Sequence, residues 1–169
     1  METRRRGLAC LLLAVSVTCG TALAEPPVKQ NILEHGRYLV RSSGCNDCHT
    51  PGYPEAAGHI PQGLWLTGSP IGFQGPWGVT YPANLRLVFQ AMTEKQWLAR
   101  ARSPMRPPMP WFNLRDMSDA DLRAMYVFIR SLGPAGQPSP DYVPPGQAVT
   151  TPYIVFVPRN LPQHAQAAR

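Results

Sequence analysis

Cys45-Asn46-Asp47-Cys48-His49 is the stretch that decides how the rest of this sequence is read. Two thiols separated by two residues, with an imidazole directly after the second, form the C-x-x-C-H pattern of covalent haem attachment. The spacing has a physical reason. Thiols so placed at a helix end reach the two vinyl groups on one side of a porphyrin, and each adds across a vinyl to give a thioether. The next residue then lies beneath the iron. There His49 can offer Nε2 to the metal while its Nδ1–H is fixed by a backbone carbonyl. Pro61, in the following loop, is the expected source of that carbonyl.

Three other chemistries use closely spaced cysteines. A thioredoxin-like redox pair wants a βαβ setting with the cysteines at a helix start, and no such pattern surrounds these residues. A zinc site needs a fourth donor, usually from a second Cys or His pair, and His59 alone does not make one. A structural disulfide across two residues would leave His49 without a role. Haem attachment uses all three side chains.

The sixth position on such an iron is open to a thioether, which raises the reduction potential and closes the metal to small ligands. Met105 and Met109 lie in the Pro-rich run Ser103 to Pro110. Met109 is favoured, because Pro107-Pro108 before it and Pro110 after it keep its side chain on an irregular strap. Met105 stands next and His59 after it, a lone histidine in a Gly-rich loop being more often solvated. Most methionines are simply apolar packing. Met92 and Met125 read as core residues and Met117 as a cap-side one.

Working outward, Arg4, Arg5 and Arg6 precede the apolar run Leu8 to Val17, and Ala22-Leu23-Ala24 supplies a small-x-small cleavage pattern. Residues 1–24 therefore read as a secretion signal, which places the mature chain in the periplasm. Cys19 invites a lipoprotein reading, but Thr18 before it is a poor match to the small residue that lipid attachment prefers. Removing 1–24 takes basic residues from 16 to 13 and acidic ones from 10 to 9, so the formal charge falls from +6 to +4. Cys10 and Cys19 leave as well, and only the two motif cysteines remain. The basic residues are scattered, which excludes a nucleic-acid stripe, and no later segment is long and apolar enough to span a bilayer.

The mature chain reads as one domain over 25–133 and a Pro-rich tail over 134–169, without internal repeats. Residues 25–30 are an irregular lead-in. A first helix opens at Asn31, with Glu34 at N3 completing a capping box, and stops at Gly44. Residues 50–83 are dense in Gly and Pro and are expected to be irregular. Short helices follow over Leu85–Met92 and from the Thr93/Gln96 capping box to about Arg102. Ser118 and Asp121 open a helix whose stripe is Leu122, Met125, Tyr126, Ile129 and Leu132, ended by Gly133 and Pro134. Tyr153 to Val157 suits a short strand or an extended strap, with looser residues beyond.

These motifs bear a family likeness. Gly36-Arg37-Tyr38-Leu39-Val40 leading into Cys45–Thr50 resembles the first helix and haem motif of class I cytochromes c. Pro107–Trp111 followed by Met117–Tyr126 resembles their methionine loop and last helix. Gly75–Gly78 and Tyr81–Leu85 are similar to bacterial periplasmic cytochromes and to haem domains of dehydrogenase subunits. The resemblance implies an all-α class I cytochrome c fold over about 31–133. First and last helices would cross beside one haem c, with Gly36 or Val40 meeting the Leu122–Tyr126 face. It implies thioethers from Cys45 and Cys48, His49 as proximal ligand and Met109 as distal ligand. Multi-haem subunits repeat the C-x-x-C-H motif, whereas this chain has it once, which favours a free-standing carrier.

The functional expectation is thus a monomeric periplasmic electron carrier, not an enzyme, that docks on redox partner proteins such as a dehydrogenase or a terminal oxidase or reductase. Trp65, Phe73, Trp77 and Trp111 would shield the haem or simply pack the core. The alternative is a haem subunit docked on a periplasmic dehydrogenase. A peroxidase-like haem enzyme or sensor would need an open sixth position and a distal acid or base, for which His59 is a weak provider.

Overall fold

The computed structural model describes residues 31–159. The expected secretion signal, the lead-in over 25–30 and the end of the tail over 160–169 lie outside the described residues. The core is organised by two helices distant in sequence, α1 (Ile32–Ser42) and α6 (Asp119–Ser131). Asn31 caps α1, its side chain accepting from the Leu33 N–H. The expected capping box does not close: Glu34 turns outward to Arg37 at 2.9 Å, a pairing one turn along the helix, instead of back to the cap. Ser118 caps α6 by accepting from the Asp121 N–H.

Gly36 is where α1 and α6 touch. A Cβ built there would fall inside the van der Waals envelope of the Ala124 carbonyl oxygen and 2.7 Å from Phe128 Cβ. The two backbones approach this closely only because the residue has no side chain. Around this contact Val40, Leu122, Met125, Phe128 and Ile129 are buried. At the edge of the crossing His35 Nε2 meets Asp121 Oδ1 at 2.7 Å. The hydrogen bond from His35, and then that from the Ser118 hydroxyl, hold the Asp121 carboxyl below the usual carboxylate range. A depressed carboxylate stabilises the fold above its ordinary value, and that contribution is lost as pH falls through the lowered one.

Three shorter helices close the core. Asn84 caps α3 (Leu85–Ala91) through the Leu87 N–H, and Thr93 opens α4 (Glu94–Ala101) with the expected reciprocal capping box to Gln96. Phe89 and Trp97 pack with ring centres 4.7 Å apart, and buried Trp97 donates Nε1–H to the Leu122 carbonyl at 2.8 Å. The sequence reading missed α5 (Trp111–Asp116), a six-residue helix that starts at Pro110 with no side-chain cap.

The expectation of a purely helical fold is corrected by a small sheet. β1 (Gly72–Gly75) and β2 (Gly78–Thr80) form an antiparallel hairpin inside the run read as irregular. β3 (Tyr153–Val155) returns from the tail to lie parallel to β1. Both hairpin strands are only three or four residues long and bounded by glycine, too short for a period of two to declare itself. Gly78 takes a φ of 94° at the turn. Val143 covers the outer side of β2 with a reciprocal bridge to Val79. β3 is the other edge; its Tyr153, Ile154 and Val155, and Phe156 and Val157 just after it, are all exposed. No described helix is long and apolar enough to cross a membrane.

Gly36→Ala decides between two opposed effects. Helix propensity would favour alanine by about 1 kcal/mol, whereas overpacking at a backbone–backbone contact costs about 1–3 kcal/mol or more. We predict a net loss, read as a lower guanidinium midpoint with unchanged slope; a variant as stable as the parent would contradict the packing described.

Candidate haem site

The motif forms its own five-residue helix, α2 (Cys45–His49), set off from α1 by Gly44 at φ 71°. That left-handed residue turns the chain so that α2 leaves the axis of α1 and carries His49 inward. His49 is buried, and its Nδ1 lies 2.7 Å from the carbonyl oxygen of Ala83. A carbonyl can only accept, so Nδ1 carries the proton and the lone pair on Nε2 is left for another partner. Burial pushes the imidazole below its ordinary value and the Ala83 bond pulls less strongly the other way, so the ring is neutral at pH 7. The expectation that Pro61 would hold this nitrogen is corrected. Its carbonyl is already used by the Leu64 N–H in a tight 3-10 turn over Gln62–Leu64.

A buried polar network sits behind the motif. Thr50 donates its hydroxyl to Asn46 Oδ1 at 2.8 Å and accepts the Leu66 N–H at 2.8 Å. The next turn of chain is tied back as well, Gly68 donating N–H to the His49 carbonyl at 2.8 Å. Leu66, fully buried at a φ of 63°, holds this bend through its apolar side chain and both main-chain bonds, its carbonyl accepting from Arg86. Asn46 Nδ2 is buried without a partner among the described residues.

Cys45 is half-buried and Cys48 exposed, and both thiols are free. Burial pushes the Cys45 thiol up to about 12, and burial with the Asp47 charge raises Cys48 as well. Dithiol exchange runs on thiolates with lowered values, so the environment is the reverse of a redox pair's. Among the described residues no three His, Cys, Asp or Glu side chains gather as a metal cluster would require. Neither observation favours a thioredoxin-like pair or a zinc site.

Met105 and Met109 both lie half-buried against the core that contains Trp65, Leu66 and Leu114. Their loop runs between α4 and α5 with its two ends fixed by Arg102. That guanidinium donates to the carbonyls of Leu114 at 3.0 Å and Met117 at 2.8 Å, to that of Arg115, and to Asp119. It thereby gathers the end of α5 against the end of α4 and closes the loop at its base. His59 instead lies exposed at the surface, apart from this cluster. Of the aromatic residues singled out above, Trp65 is in the core, whereas Phe73 and Trp77 pack on Phe156 at 6.3 and 6.2 Å and belong to the sheet.

A family model described as Cytochrome c matches residues 33–133. The chain belongs to the cytochrome c family. Its cofactor is covalently bound haem c, for which two unpaired thiols and an imidazole with a free Nε2 are the fitting donor set. A curated relative is one of the subunits of nicotinate dehydrogenase from Pseudomonas putida, 25% identical over 120 residues, or 64% of this chain. The chain spans only 9% of the length of that relative. No solved structure matches.

Arg86 is a residue that sequence reasoning missed. It is buried, and its guanidinium donates to the carbonyls of Gly133, Leu132 and Gly63, with no carboxylate partner among the described residues. Two of those carbonyls end α6, where a cation complements the helix dipole. A lone arginine three residues beyond Ala83 gave no pattern by which to find it.

Thr50→Val keeps the shape of the side chain but strands the Leu66 N–H and Asn46 Oδ1 in the interior. A buried unsatisfied group costs about 1–3 kcal/mol, so we predict a loss of about 2 kcal/mol or more in denaturant unfolding of the holoprotein. A loss below about 0.5 kcal/mol would mean that water already serves these groups.

Proposed function

We propose that this protein is a periplasmic single-haem electron carrier, with Cys45 and Cys48 as the thioether residues and His49 and Met109 as axial ligands. The observation that carries the reading is the buried imidazole whose Nδ1–H is committed to Ala83 beside two free thiols. Bound haem c supplies an iron that cycles between ferric and ferrous states. The residues of the chain hold it and shape its surroundings. His49 would hold the metal through Nε2 with its tautomer already fixed by Ala83, so that no proton would have to move when the charge on the site changes. Met109 offers a soft neutral sulfur from a loop whose ends Arg102 ties together, and such a ligand favours the ferrous state. Buried Trp65 and Leu66 exclude water and lower the local dielectric, which favours the same state. The two axial positions would then be filled by side chains, leaving the iron no vacancy for substrate, so the role is transfer and not catalysis.

Export is supported by the Arg4–Arg6 run, the apolar stretch after it and the Ala22-Leu23-Ala24 pattern. The formal charge of +4 without residues 1–24 suits encounter with acidic faces of partner proteins.

A second reading, a haem subunit resident on a dehydrogenase, is favoured by one observation. Among the described residues the β3 edge leaves main-chain groups open beside exposed Ile154, Val155 and Phe156, an arrangement that free-standing proteins usually cover or break with charge. The relative from a dehydrogenase points the same way. Sedimentation of the protein from its native source separates the readings, a free carrier running at its own mass and a subunit running within a larger assembly.

The ligand assignment predicts that ferric wild-type protein has the weak near-red absorption band of sulfur-ligated haem, and that Met109→Ala abolishes it. Survival of the band in that variant and its loss in Met105→Ala would transfer the role to Met105.

A further inference from the structure

The family match ends at residue 133, yet the chain beyond it packs against both sides of the site. On the proximal side the tail holds the neighbours of Ala83. Ser139 donates its hydroxyl to the Pro82 carbonyl at 2.7 Å, and Asn84 Nδ2 donates to the carbonyls of Ala135 and Gln137 at 2.8 and 3.0 Å. On the other side Tyr142 reaches the methionine loop. The Arg106 guanidinium lies over its ring, 4.0 Å from the centroid. Arg106 in turn accepts the Met109 N–H on its own carbonyl at 3.3 Å, so the stacked residue is one end of the turn that presents Met109.

Tyr142 is itself fixed from two directions. Its hydroxyl donates to the Trp77 carbonyl at 2.6 Å, which anchors it to the β1–β2 turn. The next residue, Val143, exchanges both main-chain bonds with Val79 at 2.8 and 3.0 Å. A ring held by its own hydroxyl and by the adjoining bridge cannot follow the loop if the loop swings away. Opening the loop draws Arg106 away from a fixed ring and so works against the stack.

We propose that Tyr142 is a positioning residue for the distal ligand: through its stack on Arg106, the tail beyond the family domain holds closed the loop that carries Met109. The inference rests on the reading of Met109 as the axial ligand. A cation over an aromatic face at this distance is a favourable electrostatic contact. Removing it raises the population of the open loop, and an external ligand that binds only the open form then binds more tightly by the same factor.

The test uses the full-length ferric holoprotein, titrated with imidazole and followed by loss of the near-red sulfur band. Wild type and Met109→Ala come first. If the wild type lacks a band that depends on Met109, the ligand reading fails and takes this proposal with it. Given that band, Tyr142→Leu is expected to bind imidazole on the order of fivefold more tightly, and Tyr142→Phe, which keeps the ring, to lie nearer wild type. Arg106 is exposed, so Arg106→Gln probes the same contact should Tyr142→Leu fail to fold, with the same expected tightening. The double variant should bind no more tightly than either single one, because both remove one interaction. Imidazole affinities within twofold of wild type in Tyr142→Leu or Arg106→Gln, or effects that simply multiply in the double variant, would overturn the proposal while leaving Met109 as ligand intact.

Discussion

The hydrogen bond from His49 Nδ1–H to the Ala83 carbonyl is the constraint on which the site depends. It decides the tautomer, and with it which nitrogen keeps a free lone pair. It also ties α2 to a loop 34 residues further on, so the geometry of the imidazole is only as good as the placement of Ala83. That placement is overdetermined. Asn84 caps α3 with one end of its amide and grips the tail with the other, while the Pro82 carbonyl accepts from both Ser69 and Ser139. If His49 is the ligand proposed above, such a second layer would keep its orientation when the charge on the metal changes, which is the requirement electron transfer sets.

Two arginines perform the remaining fastening, and neither does so mainly through a carboxylate. Arg86 is buried among the carbonyls that end α6, and Arg102, half-buried, meets those that end α5. Both exploit the same deficit, since the last carbonyls of a helix lack partners within it and carry its partial negative charge. A guanidinium meets several at once with a fixed planar fork, which a lysine could not. Arg86 joins the end of α6 to the bend at Gly63 that leads to Trp65 and Leu66. Arg102 closes the base of the methionine loop. The small helical core thus needs few polar contacts of its own, because helix ends are used as attachment points.

How much of this was legible in the sequence follows from how local each signal is. The motif cysteines, His49, the Thr93 capping box, the Ser118 cap and the apolar stripe of α6 were readable because each is complete within a few residues. Gly36 was legible only through the family likeness, since nothing local says that a small residue there meets Ala124. The strand over Tyr153–Val155 falls in the stretch read as a short strand or strap, but the β1–β2 hairpin, the partner of β3, the Ala83 carbonyl and both arginine fastenings were not legible. Apart from the short hairpin, each pairs residues 12 to 81 positions apart through main-chain atoms, which carry no residue-specific signature. The Pro61 expectation failed for that reason: any carbonyl in a long loop serves equally well, and the fold chose one beyond the hairpin. The tail was readable as Pro-rich and extended, but not as a brace, because its contacts run through single side chains such as Ser139 and Tyr142.

In the proposed reading, haem is bound to Cys45 and Cys48 by carbon–sulfur bonds. Acidified organic solvent releases haem that is merely ligated and leaves thioether-bound haem on the protein, so extraction followed by intact mass measurement tests the claim most directly. The account predicts that the colour stays with the polypeptide and that its mass exceeds that of the bare chain by one haem, with both features lost in a Cys45→Ser, Cys48→Ser variant. Colour passing into the solvent, or a mature protein at the mass of the bare chain, would contradict it.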